Sequence, residues 1–480
     1  MRLKSLYIPD YYLLKDFEID FNSNLSVLIG ENGSGKSSVL EYIAYIFGHL
    51  YKYFVLKDKT AEFIDGYKID YEINELEIYI ESHYVRSVTN TFKPTIRIND
   101  EEMSIAQIEK IYGNFSLFLP TKVVLEYSGI TERLRELNKH FEEKYIKQIV
   151  KNNNPYSLKP LNLPNANPFL YVKKEYLSFV VLALFVLDTK ESNTIINQLG
   201  IDTNGCEITI TLKKPYWAKK ESENKYPWGI SGKIAQDFID GLSVAGITNG
   251  IIDNKISYNF YGAISIKDLF QDYFNLTCNQ IVPFLDTLLC DDLLENIAIS
   301  WNDEEKNTFS IERLSEGEKQ LILSVGLNLV LKEKNLLLLL DEPDVSLHPK
   351  WQREFLSKLQ EGLDSESMAI VTTHSPSLVS DLSSRNLHLI RDGKLVEKSL
   401  NYYGKPVEDI LIDYFGLSST RNKIVEVKIN ELWTLIKLGK YQSEEYVKLR
   451  EELVSLLGKD DKELLAMDID IRRKEYAKNK

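Results

Sequence analysis

The sequence predicts an α/β fold: a mixed-sheet domain assembled from both ends of the chain, split by a large, mostly helical insertion and followed by a helical tail. Three observations carry this reading. The apolar run Leu25–Ile29 passes through a glycine-rich loop into a segment of helical periodicity. A second apolar run, Leu336–Leu340, lies far downstream and ends in two adjacent acids, Asp341 and Glu342. After Gly393 the pattern changes to amphipathic segments separated by glycines.

The bulk numbers set the limits. With 480 residues, 44% of them hydrophobic and 27% charged, the composition is that of a globular chain of about two or three structural units. Such a length buries a core without disulfides or structural metals. The net charge of −13 opposes coating nucleic acid by bulk electrostatics and leaves room only for a local basic groove. Cys206, Cys278 and Cys290 are too few and too scattered for a disulfide framework or a four-ligand zinc site, and free thiols fit a reducing compartment. Residues 1–20 carry Asp10, Lys15, Asp16 and Glu18 where a signal peptide would be apolar. The longest apolar runs, Leu177–Leu187 and Leu336–Leu340, fall short of the ~20 residues that span a bilayer. The expectation is a cytoplasmic chain with no membrane segment.

The first element is an antiparallel hairpin over residues 2–21, with Leu13, Phe17, Ile19 and Phe21 in partial alternation, expected beside the strand Leu25–Ile29. Tyr12 and Phe17 are candidates to stack on a base, against the stronger reading of core aromatics. Gly30-x4-Gly35-Lys36-Ser37 then stands in the strand–loop–helix context that a phosphate-binding P-loop requires. Gly30, Gly33 and Gly35 let successive N–H groups curl toward phosphate oxygens, and the helix N-terminus behind them adds positive potential. Lys36 reaches the β- and γ-phosphates, and the Ser37 hydroxyl is placed to ligate Mg²⁺. With Asn32, Ser34 and Ser38, these residues make up the expected nucleotide-binding loop.

Residues 55–127 alternate, as in Leu76–Glu81 and Thr95–Asn99, and predict a strand-rich extension. Val123–Tyr127 with Ser128 and Gly129 should return the chain to the phosphate face, and Gln107 is a nearby candidate for contacting the nucleotide. Thr131–Lys151 reads as a helix that stops at Asn152-Asn153-Asn154-Pro155, too short for a coiled-coil arm. The insertion should be mostly helical, with a small strand pair around Ile208–Leu212. Its Lys213, Lys214, Trp217, Lys219, Lys220, Lys225 and Trp228 interleave bases with aromatics as single-strand binders do, although a solvated hairpin loop is the simpler reading.

The second half of the site begins at Leu314-Ser315-Glu316-Gly317-Glu318-Lys319-Gln320. Ser315 and Glu318 have capping-box spacing at a helix start. Leu336–Leu340 is a buried parallel-type strand that delivers Asp341 and Glu342 at its C-terminal end, the edge where α/β sheets bind ligands. In a phosphate site the first acid holds Mg²⁺ and the second orients the attacking water. Met368–Thr373 is a further strand, with His374 at its end able to donate to a γ-phosphate. Asn422–Leu438, Ser443–Leu457 and Asp461–Lys478 read as three amphipathic tail helices, whose Leu432, Leu435, Leu449, Leu453, Leu456 and Leu457 offer surface for a small bundle or a docked chain. Asp468-Ile-Asp470 is a solvated helix face rather than a nuclease motif. The segments run 1–130, 131–290, 291–400 and 401–480.

These residues resemble the ABC ATPase family, in its soluble branch with the SMC, RecF-like and OLD-like ATPases. The resemblance covers residues 1–50 and 305–400. Gly30–Ser37 matches Walker A, Leu314–Gln320 the signature motif, Leu336–Glu342 Walker B and Ser346–His348 the D-loop, while His374 matches the switch histidine. It implies an ATP- and Mg²⁺-dependent ATPase with Glu342 and His374 catalytic and Ser37 and Asp341 at the metal. It also implies a head-to-tail homodimer, open to assembly into larger oligomers, in which Ser315, Gly317 and Glu318 of one copy meet nucleotide held by the other. Transport ATPases fit poorly because of the long insertion and the acidic signature. The tail, through Phe415–Arg421, Leu435–Lys440 and Leu453–Leu464, resembles ATPases of Septu-type and retron-associated anti-phage systems, PtuA among them. That likeness implies a separate HNH-type nuclease partner similar to PtuB. The alternatives are a RecF-like ATPase that binds DNA or RNA itself through the insertion, and a nucleotide sensor that does not hydrolyse.

Overall fold

The computed structural model describes residues 1–58, 66–82, 94–127, 168–218, 226–230, 233–302, 307–379, 382, 386–396, 404–415, 417 and 419–478, together with Arg135 and Lys139. Within residues 1–405, one of two compact units, a seven-stranded sheet carries the P-loop. Its strands are β3 (Leu25–Ile29), β8 (Lys122–Tyr127), β9 (Phe169–Tyr171), β15 (Leu336–Asp341), β16 (Met368–Thr373), β17 (Leu387–Arg391) and β18 (Lys394–Leu395), in the order β18-β17-β3-β16-β15-β8-β9. All pair in parallel except β17 with β18. Every residue of β3, β15 and β16 is buried, which is why these strands are apolar runs rather than alternating ones. The register aligns their C-terminal ends, with Asp341 opposite Thr372 and Tyr127, and Thr373 opposite Ile29. The expected return of Val123–Tyr127 to this edge is present as β8.

The N-terminal hairpin forms as expected, from β1 (Arg2–Tyr11) and β2 (Leu14–Asp20), but it lies in a different sheet from β3. It belongs to a six-stranded antiparallel sheet of order β2-β1-β4-β5-β6-β7, with β4 (Lys68–Ile73), β5 (Leu76–Glu81), β6 (Thr95–Ile98) and β7 (Glu101–Glu102). Its alternating face, with Leu6, Ile8, Phe17 and Ile69, shares one core with Val39, Ile43 and Phe47 of the P-loop helix Lys36–Leu50 and with Leu337 and Ile370 of the parallel sheet. The helix is apolar nearly all round because it meets neighbours on most sides.

The insertion has helices Tyr176–Leu187, Lys190–Gln198, Lys233–Ala245, Gly262–Lys267 and Cys278–Cys290. The strand pair expected near Ile208–Leu212 is the centre of a larger, five-stranded sheet of order β11-β12-β10-β13-β14. These strands are β10 (Glu207–Lys213), β11 (Ile247–Ile252), β12 (Lys255–Tyr261), β13 (Leu294–Asn302) and β14 (Thr308–Ser310), so a boundary at residue 290 cuts the sheet. Ile208 and Ile210 pair with Ile299 and Ile297, partners too distant in sequence for a local pattern to reveal. The helix expected over Thr131–Lys151 lies outside the described residues except at Arg135 and Lys139, both helical.

Residues 406–480 form a unit of their own, with helices Val407–Phe415, Lys423–Lys437, Glu444–Leu457 and Lys462–Lys478. Leu432, Leu435, Ile436, Leu453, Leu464 and Met467 make its core, while Leu456 is exposed. Asp468 pairs with Arg450 and Asp470 with Lys474, so both acids of the Asp-Ile-Asp stretch are engaged in ion pairs. Among the described residues no helix is long and apolar enough to cross a membrane.

Candidate functional site

The P-loop is shaped by close packing on two sides. Gly30 has φ 152°, and a Cβ there would lie 2.1 Å from the carbonyl oxygen of Ile390 and 2.8 Å from Ser34 Oγ. A Cβ on Gly35, at φ 108°, would press on Leu14 at 2.8 Å. Gly393 in the β17–β18 turn donates its N–H to the Ser34 carbonyl at 3.0 Å. Gly30→Ala is therefore expected to weaken nucleotide affinity by roughly tenfold or more, because loop and β17 must move apart. Titration with a fluorescent ATP analogue measures this, and an unchanged affinity would contradict it.

Lys36 is buried, and its Nζ donates to the carbonyl oxygens of Gly30 and Glu31, both at 3.1 Å. Burial lowers its pKa to about 8, against the pull of Glu342 and Asp341. Ser37 Oγ and Thr372 Oγ1 both donate to Oδ1 of Asp341, at 2.8 and 2.6 Å. Burial raises the Asp341 carboxyl, and those two hydroxyls oppose the rise. Thr372 thus positions Asp341, a role that sequence reading missed because a threonine in an apolar strand carries no signal of its own.

Glu342 follows in the left-handed region at φ 51°, rare for a residue other than glycine. Its N–H donates to the carbonyl oxygen and to Oγ1 of Thr372, at 3.1 and 3.0 Å. These bonds turn the side chain out of the strand, and His374 Nε2 stands 2.8 Å from Oε1 of Glu342. That contact lowers the Glu342 carboxyl below its ordinary value, with burial opposing. Beyond it, Asp344 accepts from Thr373 Oγ1 at 2.8 Å, and burial pushes its carboxyl up to about 6. Gln352 joins the Asp344 carbonyl to Ser375 Oγ, at 3.1 and 2.9 Å, and ties the segment after Walker B to the one after His374. His348 caps the helix Pro349–Gly362, its Nδ1 accepting from Lys350 N–H at 3.3 Å.

Ser315 and Glu318 close the capping box expected of them: Ser315 N–H and Oγ both donate to Glu318 Oε2 at 2.7 Å. Gly317 packs on the D-loop so tightly that a Cβ would lie 2.7 Å from the Ser346 carbonyl oxygen. The structure therefore gathers Gly30–Ser38, Asp341, Glu342 and His374 at one sheet edge, and sets Ser315–Glu318 on the helix start packed against Ser346.

Gln107 is the third residue of a capping box with Ser104, at the exposed start of the helix Ile105–Tyr112. Phe17 is buried, whereas Tyr12 is exposed at the hairpin tip, beside the Leu13 carbonyl that would lie 2.0 Å from a Cβ on Gly393. In the basic–aromatic stretch, Lys213 pairs with Asp292 and Glu295, Trp217 donates to the Asp291 carbonyl at 2.8 Å, and Trp228 is buried. Lys219, Lys220 and Lys225 lie outside the described residues. None of the three cysteines is in a disulfide among the described residues.

One charged group was not foreseen. Glu126, in β8, is buried, and burial pushes its carboxyl up to about 7. Its folded pKa exceeds its unfolded value, so the stability it confers is full at low pH and is lost as pH rises through 7. Relative to Glu126→Gln, the native chain is expected to lose at least about 2 °C of unfolding temperature between pH 5 and 8. Parallel melts of both proteins test this, and a pH-independent difference would refute it.

The family model described as AAA ATPase domain (AAA_15) matches residues 1–379. The chain is 23% identical to a retron Ec83 probable ATPase of Escherichia coli, over 99% of this chain and 87% of that one. It is 25% identical to a retron Vc95 probable ATPase of Vibrio cholerae, over 86% and 78%. To the Septu protein PtuA of Bacillus thuringiensis it is 28% identical over 51% of this chain and 67% of PtuA. With its P-loop, Asp341, Glu342 and His374 on one edge of a parallel sheet, the chain belongs to the AAA ATPase domain family, as an ABC-type ATPase related to PtuA.

Proposed function

We propose that the chain hydrolyses ATP at sites shared between two copies of itself, and that this switch regulates a nuclease carried by a separate chain in anti-phage defence. The observation that carries the reading is the contact of Glu342 with His374 beside the Ser37–Asp341 pair, at the mouth of a P-loop. In this reading Gly30, Asn32, Gly33, Ser34 and Gly35 wrap the phosphates with backbone N–H groups, and Lys36 exchanges its two carbonyl partners for β- and γ-phosphate oxygens. Ser37 and Asp341 bring two hard oxygen donors within 2.8 Å of each other, a set that fits Mg²⁺ with nucleotide oxygens completing its shell. The ion would supply charge neutralisation at the phosphates. Glu342 orients and polarises the attacking water, and His374 turns its Nε2–H from that carboxylate to the γ-phosphate once nucleotide is bound.

The opposite face of the nucleotide is supplied by Ser315, Gly317 and Glu318 of a second copy, where the capped helix start presents N–H groups to phosphate. In this reading Tyr12, exposed at the hairpin tip, takes the stack on the base, since the other candidate, Phe17, is buried. The nuclease partner rests on the likeness to retron and Septu proteins and on the tail helices, which leave Ile424, Leu438, Leu456 and Ile469 exposed. Coexpression with the neighbouring genes and affinity purification tests it. A nuclease is expected to copurify, and a chain that purifies alone while binding duplex DNA in an ATP-dependent, salt-sensitive way would favour the RecF-like alternative.

A further inference from the structure

Strand β8 runs Lys-Val-Val-Leu-Glu-Tyr, and its Glu126 is buried. A buried carboxyl is costly, and a strand of this kind is more simply completed by an apolar residue. Its Oε1 accepts from Ser324 Oγ at 2.6 Å and from Gln320 Nε2, and Gln320 Nε2 also bonds Ser324 Oγ at 3.2 Å. Its Oε2 is buried and has no hydrogen-bond partner among the described residues. The carboxyl is therefore aimed with one oxygen at a single object, the helix that begins at Ser315.

The position of both ends matters. Glu126 is in register with Leu340, one residue before Asp341, so its strand ends at the nucleotide edge. Gln320 lies one helical turn beyond Gly317. The helix Glu316–Leu321 continues without a break into a π-helical turn, Ile322–Gly326, which holds Ser324, and then into Leu327–Val330. Such turns are locally strained and collect at functional positions. One end of the bridge thus belongs to the chain's own nucleotide site and the other to the residues offered to a second copy.

We propose that Glu126 is a positioning residue for ATP turnover: by accepting from Gln320 and Ser324 it fixes the signature helix against the strand beside Asp341, and so sets how Ser315 and Gly317 meet nucleotide bound by a second copy. The inference rests on the shared-site reading above. It gives the buried carboxyl a task that neither nucleotide binding nor the fold requires of it.

The test compares Glu126→Ala, Gln320→Ala and Glu126→Gln, each made in the native chain and in a Glu342→Gln background. ATP affinity is read with a fluorescent analogue, ATP-dependent dimerisation by sedimentation in the Glu342→Gln background, and turnover by phosphate release in the native one. Glu126→Ala and Gln320→Ala are expected to bind ATP within about twofold of their parents. Both should need about tenfold more protein to dimerise and turn over about tenfold more slowly. Glu126→Gln keeps an oxygen acceptor at Oε1 and should restore both to within about threefold. Should Glu126→Ala fail to fold, Gln320→Ala breaks the same bridge from its less buried end. Dimerisation and turnover at parental levels in both alanine variants would overturn the proposal, as would a parallel loss of ATP affinity, which marks a general structural defect. If the Glu342→Gln parent itself stays monomeric with ATP, the shared-site reading fails first. If that parent dimerises and the alanine variants match it, only the role of Glu126 fails.

Discussion

Lys36→Ala is expected to abolish ATP binding while leaving the chain folded. The Lys36 ammonium is buried and held by the carbonyl oxygens of Gly30 and Glu31, so it already points along the inside of the loop. Nothing else among the loop residues Gly30–Ser38 carries a positive side chain. Charge-assisted bonds from such an ammonium to phosphate contribute roughly 1.5–3 kcal/mol each, so losing two should weaken affinity by about a hundredfold or more. Removing the ammonium also spares the protein a buried charge, which offsets the two lost carbonyl bonds and argues against unfolding. Equilibrium binding with a fluorescent analogue, beside a thermal melt, separates the two effects. An affinity within threefold of the native chain would remove Lys36 from the site.

Glu342→Gln is expected to keep ATP binding and lose turnover by roughly a hundred- to ten-thousandfold, the range for removing a positioned acid–base group. The reason lies in how the residue is held. Its conformation at φ 51° is fixed by its own N–H on Thr372, a bond that the side-chain identity does not touch. The amide can still meet His374 and occupies the same volume, so binding geometry is preserved while the negative charge that polarises water is gone. Phosphate release under saturating ATP reads the loss, and sedimentation with ATP reads the trapped dimer. Equal turnover in the two proteins would overturn the role of Glu342, whereas no turnover in either would favour a nucleotide sensor.

Much of the site was legible because its chemistry is local. The P-loop needs glycines at set spacings, and Gly30 and Gly35 sit where β17 and Leu14 leave no room for a Cβ. Leu336–Leu340 advertises a strand covered on both faces, and Ser315 with Glu318 a helix start. Each signal lies within about eight residues, the range over which a turn, a cap or a short strand is decided. Gln107 shows the opposite case: its type and rough position suggested a nucleotide contact, yet its side-chain oxygen caps the helix start at Ser104.

By itself the sequence determined which segments are strands, loop and helix starts around the phosphate site, and that the tail is helical, because those features depend on neighbours along the chain. Only the tertiary structure decided that β16 stands between β3 and β15, which places His374 against Glu342 and Thr372 on Asp341. It also decided that the N-terminal hairpin joins a second sheet, that β10 is completed by β13, and that Glu126 reaches Gln320 and Ser324. These are pairings between residues far apart in the chain, selected by which buried faces and polar groups satisfy one another once the core closes, and periodicity carries no record of them.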